Sequence, residues 1–193
     1  MSLFFETVLV KNGRAPFLPL HEKRMNLTRR KFSLGLNPLR INTPKIPDNT
    51  SYRLRIIYGK KIEKVALLPY SFEKKRKIKV VDCDINYSYK FLNRDFFDGL
   101  LAEHDSFDDL LIIDKGVVSD TTIANVAFFD GKKWFTPSPP LLKGTTRERL
   151  LNSGFLTAKK IYKDEIENYS HIGLMNALTG FYIAGETKEV IKN

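Results

Sequence analysis

Apolar and polar residues roughly alternate from Leu3 to Val10, a period near two that predicts a half-buried strand. Asn12-Gly13 closes it as a turn, and a short return strand is expected to run to Leu18. From His21 the spacing turns helical: Met25, Leu27 and Phe32 form an apolar stripe that ends near Gly35, with basic residues on the opposite face. Residues 37–50, rich in Pro, Asn and Thr, predict a loop or a short helix. Three strand-like runs follow, Tyr52–Tyr58, Lys64–Pro69 and Lys77–Val81, and residues 84–88 read as a connector.

The pattern then predicts a helix from Phe91 to Glu103, with Phe91, Phe96 and Leu100 on its apolar face. Strands are expected at Asp109–Ile113, Val117–Ser119, Asn125–Phe129 and Lys133–Phe135, and a short helix from Thr145. Further strands are expected at Ala158–Tyr162, Gly173–Met175 and Phe181–Ala184. Strands and helices mix without regular βαβ alternation, which predicts an α+β fold rather than a doubly wound sheet. A small lobe over 1–86 and a larger one over 87–193 are the expected organisation.

The 193 residues suffice for one good core or two small subdomains, and 42% hydrophobic with 28% charged residues is ordinary for a globular protein. No apolar run approaches the ~20 residues that cross a bilayer, and the first residues read as a strand, not a secretory leader. Cys83 is the only cysteine, so an internal disulfide is excluded and a reducing cytoplasm is the expected setting. His21, His104 and His171 are too far apart in sequence for a zinc spacing. Lys and Arg (32) outnumber Asp and Glu (22), giving +10. They are dispersed, with no helix-turn-helix, zinc knuckle or aromatic RNA-binding strand beside them, so a solvated basic surface is expected rather than a nucleic-acid partner.

The chemistry concentrates downstream. Gly144-Thr145-Thr146-Arg147-Glu148 has Thr145 three residues before Glu148, a capping-box spacing that predicts a helix start. The free N–H groups of such a first turn, with threonine hydroxyls beside them, can cradle an anion, although an ordinary helix cap reads the same way. Lys90, between Tyr89 and Phe91, either snorkels outward or is buried with its amine kept neutral and nucleophilic. Asp120 reads as a turn residue or as an ionised partner for a protonated pyridine nitrogen, and Asn125 as the residue that fixes the loop carrying that acid. A lysine, an acid and an anion cradle are the parts that hold an aromatic aldehyde phosphate, and pyridoxal phosphate fits them.

The motifs FET (Phe5–Thr7), HEKR (His21–Arg24), YKFLNR, DTTIAN, Thr136-Pro137, GTTR and MNALTG follow in one order along nearly the whole chain. In that order the chain resembles the class IV, fold-type IV pyridoxal-phosphate enzymes: branched-chain and D-amino-acid aminotransferases and 4-amino-4-deoxychorismate lyase. The resemblance implies Lys90 as the Schiff-base lysine, Arg24 and the Thr145–Thr146 loop as phosphate ligands, and Ala177 as a second backbone contact to the phosphate. Asp120 stands at the family's glutamate, one methylene shorter. The chain starts at FET, so the family's first strand is expected to be missing, an N-terminal truncation. Tyr58 replaces an arginine of the family, and Arg53 and Arg55 on one strand face are the expected compensating substrate contacts. LNR and NAL resemble the lyase branch more than either aminotransferase branch, which implies a lyase that releases 4-aminobenzoate and pyruvate for folate synthesis. An aminotransferase and a non-catalytic cofactor-binding relative are the alternatives, and a homodimer is implied.

Overall fold

The computed structural model describes residues 2–44 and 50–192. Residues 37–44 have no regular structure, and 45–49 of the expected loop lie outside the described residues. The chain forms two compact units, Met1–Phe72 with Tyr89–Asn93, and Glu73–Ser88 with Arg94–Asn193. The division expected after residue 86 is therefore displaced and interrupted, because the third strand-like run pairs with strands of the second unit.

In the first unit β1 (Phe4–Lys11), β2 (Ser51–Tyr58) and β3 (Ile62–Pro69) form an antiparallel sheet in that order. Alternation along β2 buries Tyr52, Leu54, Ile56 and Tyr58, while Arg53, Arg55 and Ile57 take the other face. The buried set packs with Phe4, Val8 and Val10 of β1 and with Met25 of α1 (Leu18–Lys31) in one core. Each such large side chain contributes ~1.5–3 kcal/mol by burial. The expected return strand is absent: Lys11 and Arg14 make only an isolated bridge, and α1 begins at Leu18 with Pro19 in its first turn, where a missing N–H costs nothing. The inward face of α1 is also not the expected stripe. It buries His21, Glu22, Met25, Thr28 and Arg29, whereas Leu27 is 53% exposed.

The helix expected from Phe91 starts later, as α2 (Asp95–Ala102). Residues 89–93 instead run along the free edge of β1: Phe5 N–H donates to Lys90 C=O at 3.0 Å and Leu92 N–H to Leu3 C=O at 2.8 Å. Edge pairing satisfies backbone groups that a helix would have used internally. α2 then buries Phe97, leaving Phe96 51% exposed.

The second unit holds two sheets. One runs β12-β4-β5-β6, from β4 (Ile78–Asp82), β5 (Asp109–Asp114), β6 (Val117–Thr121) and β12 (Ile191–Lys192). The other runs β11-β10-β7-β8-β9, from β7 (Asn125–Phe129), β8 (Trp134–Pro137), β9 (Leu156–Lys159), β10 (His171–Asn176) and β11 (Gly180–Glu186). Ile78, Leu111, Ile113 and Val118 of the first share a core with Val126, Phe128, Ile172 and Leu174 of the second. The β5–β6 turn places Lys115 at φ 49° and Gly116 at φ 79°, the left-handed pair a tight hairpin needs. β9 lies earlier than the expected Ala158–Tyr162, since it pairs in parallel with β8, and Tyr162 instead caps a 3-10 turn, Lys163–Asn168. α3 (Thr145–Asn152) and α4 (Thr187–Val190) complete the unit. The α+β class expected from the sequence is the class observed. Among the described residues no helix is long and apolar enough to cross a membrane, and no group of three His, Cys, Asp or Glu could hold a metal.

Candidate active site

The candidate residues fall in both units, each with its own geometry. In the first, Glu6 sits on the helix-covered face of β1 and is fully buried. His21 Nδ1 lies 2.6 Å from its Oε2, Arg24 Nε donates to Oε1 at 2.9 Å, and Arg24 Nη2 donates to Oε2 at 2.5 Å. An ionised carboxylate only accepts, so Nδ1 carries the proton. Burial alone would raise the Glu6 carboxyl, but the Arg24 charge and the hydrogen bonds from His21 and Arg24 outweigh it and hold the group near 2. The spacing of His21 and Arg24, three apart on α1, points both at one acid. Arg24 is thus a fixed cation, oriented from behind. Glu6 had no role in the sequence reading, although its place in FET and the alternation of β1 put it on the inward face.

Lys90, also in the first unit, is half-buried, and its Nζ stands 4.4 Å from the centroid of the Phe5 ring. The Arg55 guanidinium lies 4.5 Å from that same centroid. Arg53 shares the Arg55 face of β2, and its Nε is buried without a partner. Tyr58 points the opposite way, fully buried and stacked 5.7 Å from Phe4, so burial pushes its phenol up and it belongs to the core rather than to a pocket lining.

The second unit gathers four of the motifs. Asp120 lies inside β6, not in the turn that its sequence context allowed. It is 3% exposed; Oδ2 accepts from Leu142 N–H at 2.9 Å, and Oδ1 is buried without a partner. Burial raises its carboxyl to about 6, the Leu142 N–H, Asn125 and the Arg147 charge pulling the other way. Asn125 Nδ2 donates to Leu142 C=O at 2.8 Å, so Asp120 and Asn125 together pin the segment that leads into α3. A Cβ at Gly144 would overlap the Asn125 side chain, which explains a glycine at that point of GTTR. Arg147 Nε donates to Thr136 Oγ1 at 3.2 Å and its Nη2 to Pro137 C=O at 2.8 Å, tying the Thr-Pro strand to the helix start.

At α3 the expected capping box does not form. Gly144 is the N-cap and makes no side-chain bond, which puts Thr145 inside the first turn. The Thr146 hydroxyl donates to Asn176 C=O at 2.9 Å, so Thr146 offers an anion its backbone N–H, and the contact draws MNALTG to the helix start. Asn176 Oδ1 accepts from Leu178 and Thr179 N–H at 2.9 and 3.0 Å, which fixes the turn that carries Ala177.

These parts fit the cofactor that the sequence suggests. The lone acceptor Oδ1 of Asp120, buried and oriented, lacks a donor that a protonated pyridine nitrogen would be. The first turn of α3 supplies N–H groups and a dipole for a phosphate.

The fold is one shared with class IV relatives, and the chain belongs to the amino-transferase class IV family, whose model matches residues 88–185. It is 33% identical over 188 residues to an uncharacterized protein of Haemophilus influenzae, covering 93% of this chain and 100% of that one. A crystal structure named as a "putative 4-amino-4-deoxychorismate lyase" from Haemophilus somnus 129pt is 30% identical, with TM-score 0.80 over 93% of this chain and 98% of that one. A "Putative aminodeoxychorismate lyase" of Schizosaccharomyces pombe is 34% identical over 82 residues, 39% of this chain and 36% of that protein.

Proposed function

We propose that the protein is a pyridoxal-phosphate-dependent lyase that cleaves 4-amino-4-deoxychorismate to 4-aminobenzoate and pyruvate, a step toward folate. The observation that carries the cofactor half of this reading is the buried, undonated Oδ1 of Asp120 beside the α3 helix start. The lyase half is supported by the names of the Haemophilus somnus and Schizosaccharomyces pombe relatives. LNR (Leu92–Arg94) and NAL (Asn176–Leu178) add to it.

Bound there, the cofactor supplies an electron sink for the carbon next to the substrate nitrogen. Lys90 would hold its aldehyde through Nζ, and once the substrate amine has taken that place the freed Nζ would carry the proton. By the family resemblance, Arg24, steadied by Glu6 and His21, and the N–H groups of Thr145, Thr146 and Ala177 would hold its phosphate. Asp120 would accept from its ring nitrogen, and Asn125 would keep that acid in place. Arg53, whose Nε has no partner, and Arg55 hold substrate carboxylates. A homodimer in the cytoplasm completes the reading.

The test begins with borohydride reduction of protein mixed with pyridoxal phosphate. The expected adduct maps to the peptide containing Lys90 and disappears in Lys90→Ala; an adduct on another lysine removes Lys90 from the role. Given aminodeoxychorismate, the protein should release pyruvate and 4-aminobenzoate over many turnovers with no 2-oxo acid added. An aminotransferase stalls after one half-reaction without that acceptor, so strict dependence on it, with no pyruvate formed, reverses the assignment.

A further inference from the structure

A second buried carboxylate lies beside the acid strand, and the proposed chemistry does not use it. Asp109 opens β5 and is 1% exposed. Its Oδ1 accepts three hydrogen bonds, from Leu110 N–H at 2.8 Å, Thr122 N–H at 3.2 Å and the Thr122 hydroxyl at 2.6 Å. Oδ2 is buried with no partner, and burial pushes the carboxyl up against the pull of the Thr121 and Thr122 bonds. Such a half-satisfied buried acid is costly, and an apolar residue would pack there at less cost. Beyond its own neighbour Leu110, Asp109 holds Thr122 by its N–H and hydroxyl and is drawn toward the Thr121 hydroxyl as well.

Thr122 follows Asp120 by two residues and is fastened from both sides. Arg94 Nη2 donates to its carbonyl at 2.8 Å, and that guanidinium in turn lies 4.9 Å from the centre of the Phe97 ring on α2. Next to it, Thr121 N–H donates to Ala124 C=O at 2.8 Å, and Ala124 N–H donates to Thr121 Oγ1 at 3.0 Å. The turn from Asp120 to Asn125 is therefore clamped at its middle by the side chains of Asp109 and Arg94.

The clamp matters because Asp120 has little freedom of its own. Leu142 fixes its Oδ2, so only Oδ1 remains to be aimed. An aspartate is one carbon–carbon bond, ~1.5 Å, shorter than a glutamate, so it cannot extend toward a partner. Its reach is set by where the backbone stands.

We propose that Asp109 is a positioning residue for Asp120: through Thr122 it sets the depth at which Asp120 presents Oδ1 to the ring nitrogen of a bound pyridine cofactor. This rests on the cofactor reading above, and the experiment separates the two. Asp109→Asn keeps the acceptor oxygen and the clamp, whereas Asp109→Ala removes them. With pyridoxal phosphate labelled with nitrogen-15 in the ring, Asp109→Ala should bind about tenfold more weakly. Its ring-nitrogen signal should move toward the unprotonated position, while Asp109→Asn stays like the wild type. Thr122→Val, which removes only the hydroxyl bond, should move the signal the same way and serves if Asp109→Ala does not fold. Wild-type binding and signal in Asp109→Ala or, where that variant does not fold, in Thr122→Val overturn the proposal, as does equal impairment in Asp109→Asn and Asp109→Ala. In the cofactor-free protein, amide hydrogen exchange of residues 120–125 should accelerate in Asp109→Ala and not in Asp109→Asn. If the wild type binds no pyridoxal phosphate, the function reading falls, and with it the target of Oδ1. Unchanged exchange in Asp109→Ala would sink the clamp whatever the cofactor does.

Discussion

Glu6 and Asp120 are both buried carboxylates, one in each unit, and their surroundings drive them in opposite directions. Glu6 meets a guanidinium and an imidazole N–H, fills both oxygens, and is held near 2. Asp120 accepts the Leu142 N–H on Oδ2, leaves Oδ1 without a hydrogen-bond partner, and is raised to about 6 by burial despite the pull of the Leu142 N–H, Asn125 and the Arg147 charge. Burial acts alike on both, so the partners decide. A carboxylate with both oxygens engaged is a structural anchor; one with an open oxygen is ready for a ligand. On the proposed function, the contrast separates the residue that orients a binding group from the residue that binds.

The largest break in this contrast is Arg24→Met. It leaves Glu6 buried without its cation, and removing one partner of a buried pair costs ~3–5 kcal/mol. Urea unfolding at neutral pH should show that loss, in addition to weaker pyridoxal phosphate binding.

Linkage to pH sharpens the comparison, because the two acids contribute with opposite sign. The Glu6 carboxyl is lowered on folding, from 4.5 to about 2, so its stabilisation of about 3 kcal/mol is present above pH 4.5 and is lost as pH falls toward 2. The Asp120 carboxyl is raised from 3.8 to about 6, so its contribution is full below pH 3.8 and is lost as pH rises through 6. Unfolding measured at pH 8 without cofactor should find Glu6→Gln less stable and Asp120→Asn more stable, the latter by about 2–3 kcal/mol. The same Asp120→Asn protein should be impaired with cofactor bound. A loss of apo stability in both variants would erase the distinction.

The smallest expected effect comes from Gly144→Ala. Its methyl group meets the Asn125 side chain, and the displacement should cost ~1–3 kcal/mol and loosen the segment that Leu142 anchors to Asp120. A melting curve like the wild type's would show that Asn125 moves aside freely.

Much of the β-rich second unit was legible because its strands are short apolar runs separated by turn residues. Asp109–Asp114 and Asn125–Phe129 carry that signal plainly. The helix start at Thr145 was legible too, but for the wrong reason, since Gly144 rather than Thr145 is the cap. Apolar periodicity misled where polar side chains are the buried ones. α1 turns His21, Glu22 and Arg29 inward because each finds a partner: Glu6 for His21, the Ile41 N–H for Glu22, and the Asn37 and Lys60 carbonyls for Arg29. Pairing with β1 likewise overrode the helical spacing at Phe91, a long-range contact that no local window contains. The contacts of Glu6 and Asp109 were hidden for the same reason. Their partners lie 15 and 13 positions away, and only folding brings them together.

Residues 89–93 complete the edge of β1 after a detour of the chain through the other unit. During synthesis, β1, α1, β2 and β3 are all made before the segment that finishes their own unit. Until residue 93 has left the ribosome the edge of β1 remains open, a template to which a strand of another nascent chain can add. The lysine proposed as the reactive one therefore reaches its place in the same event that closes this edge, so an unguarded edge and a completed site do not coexist.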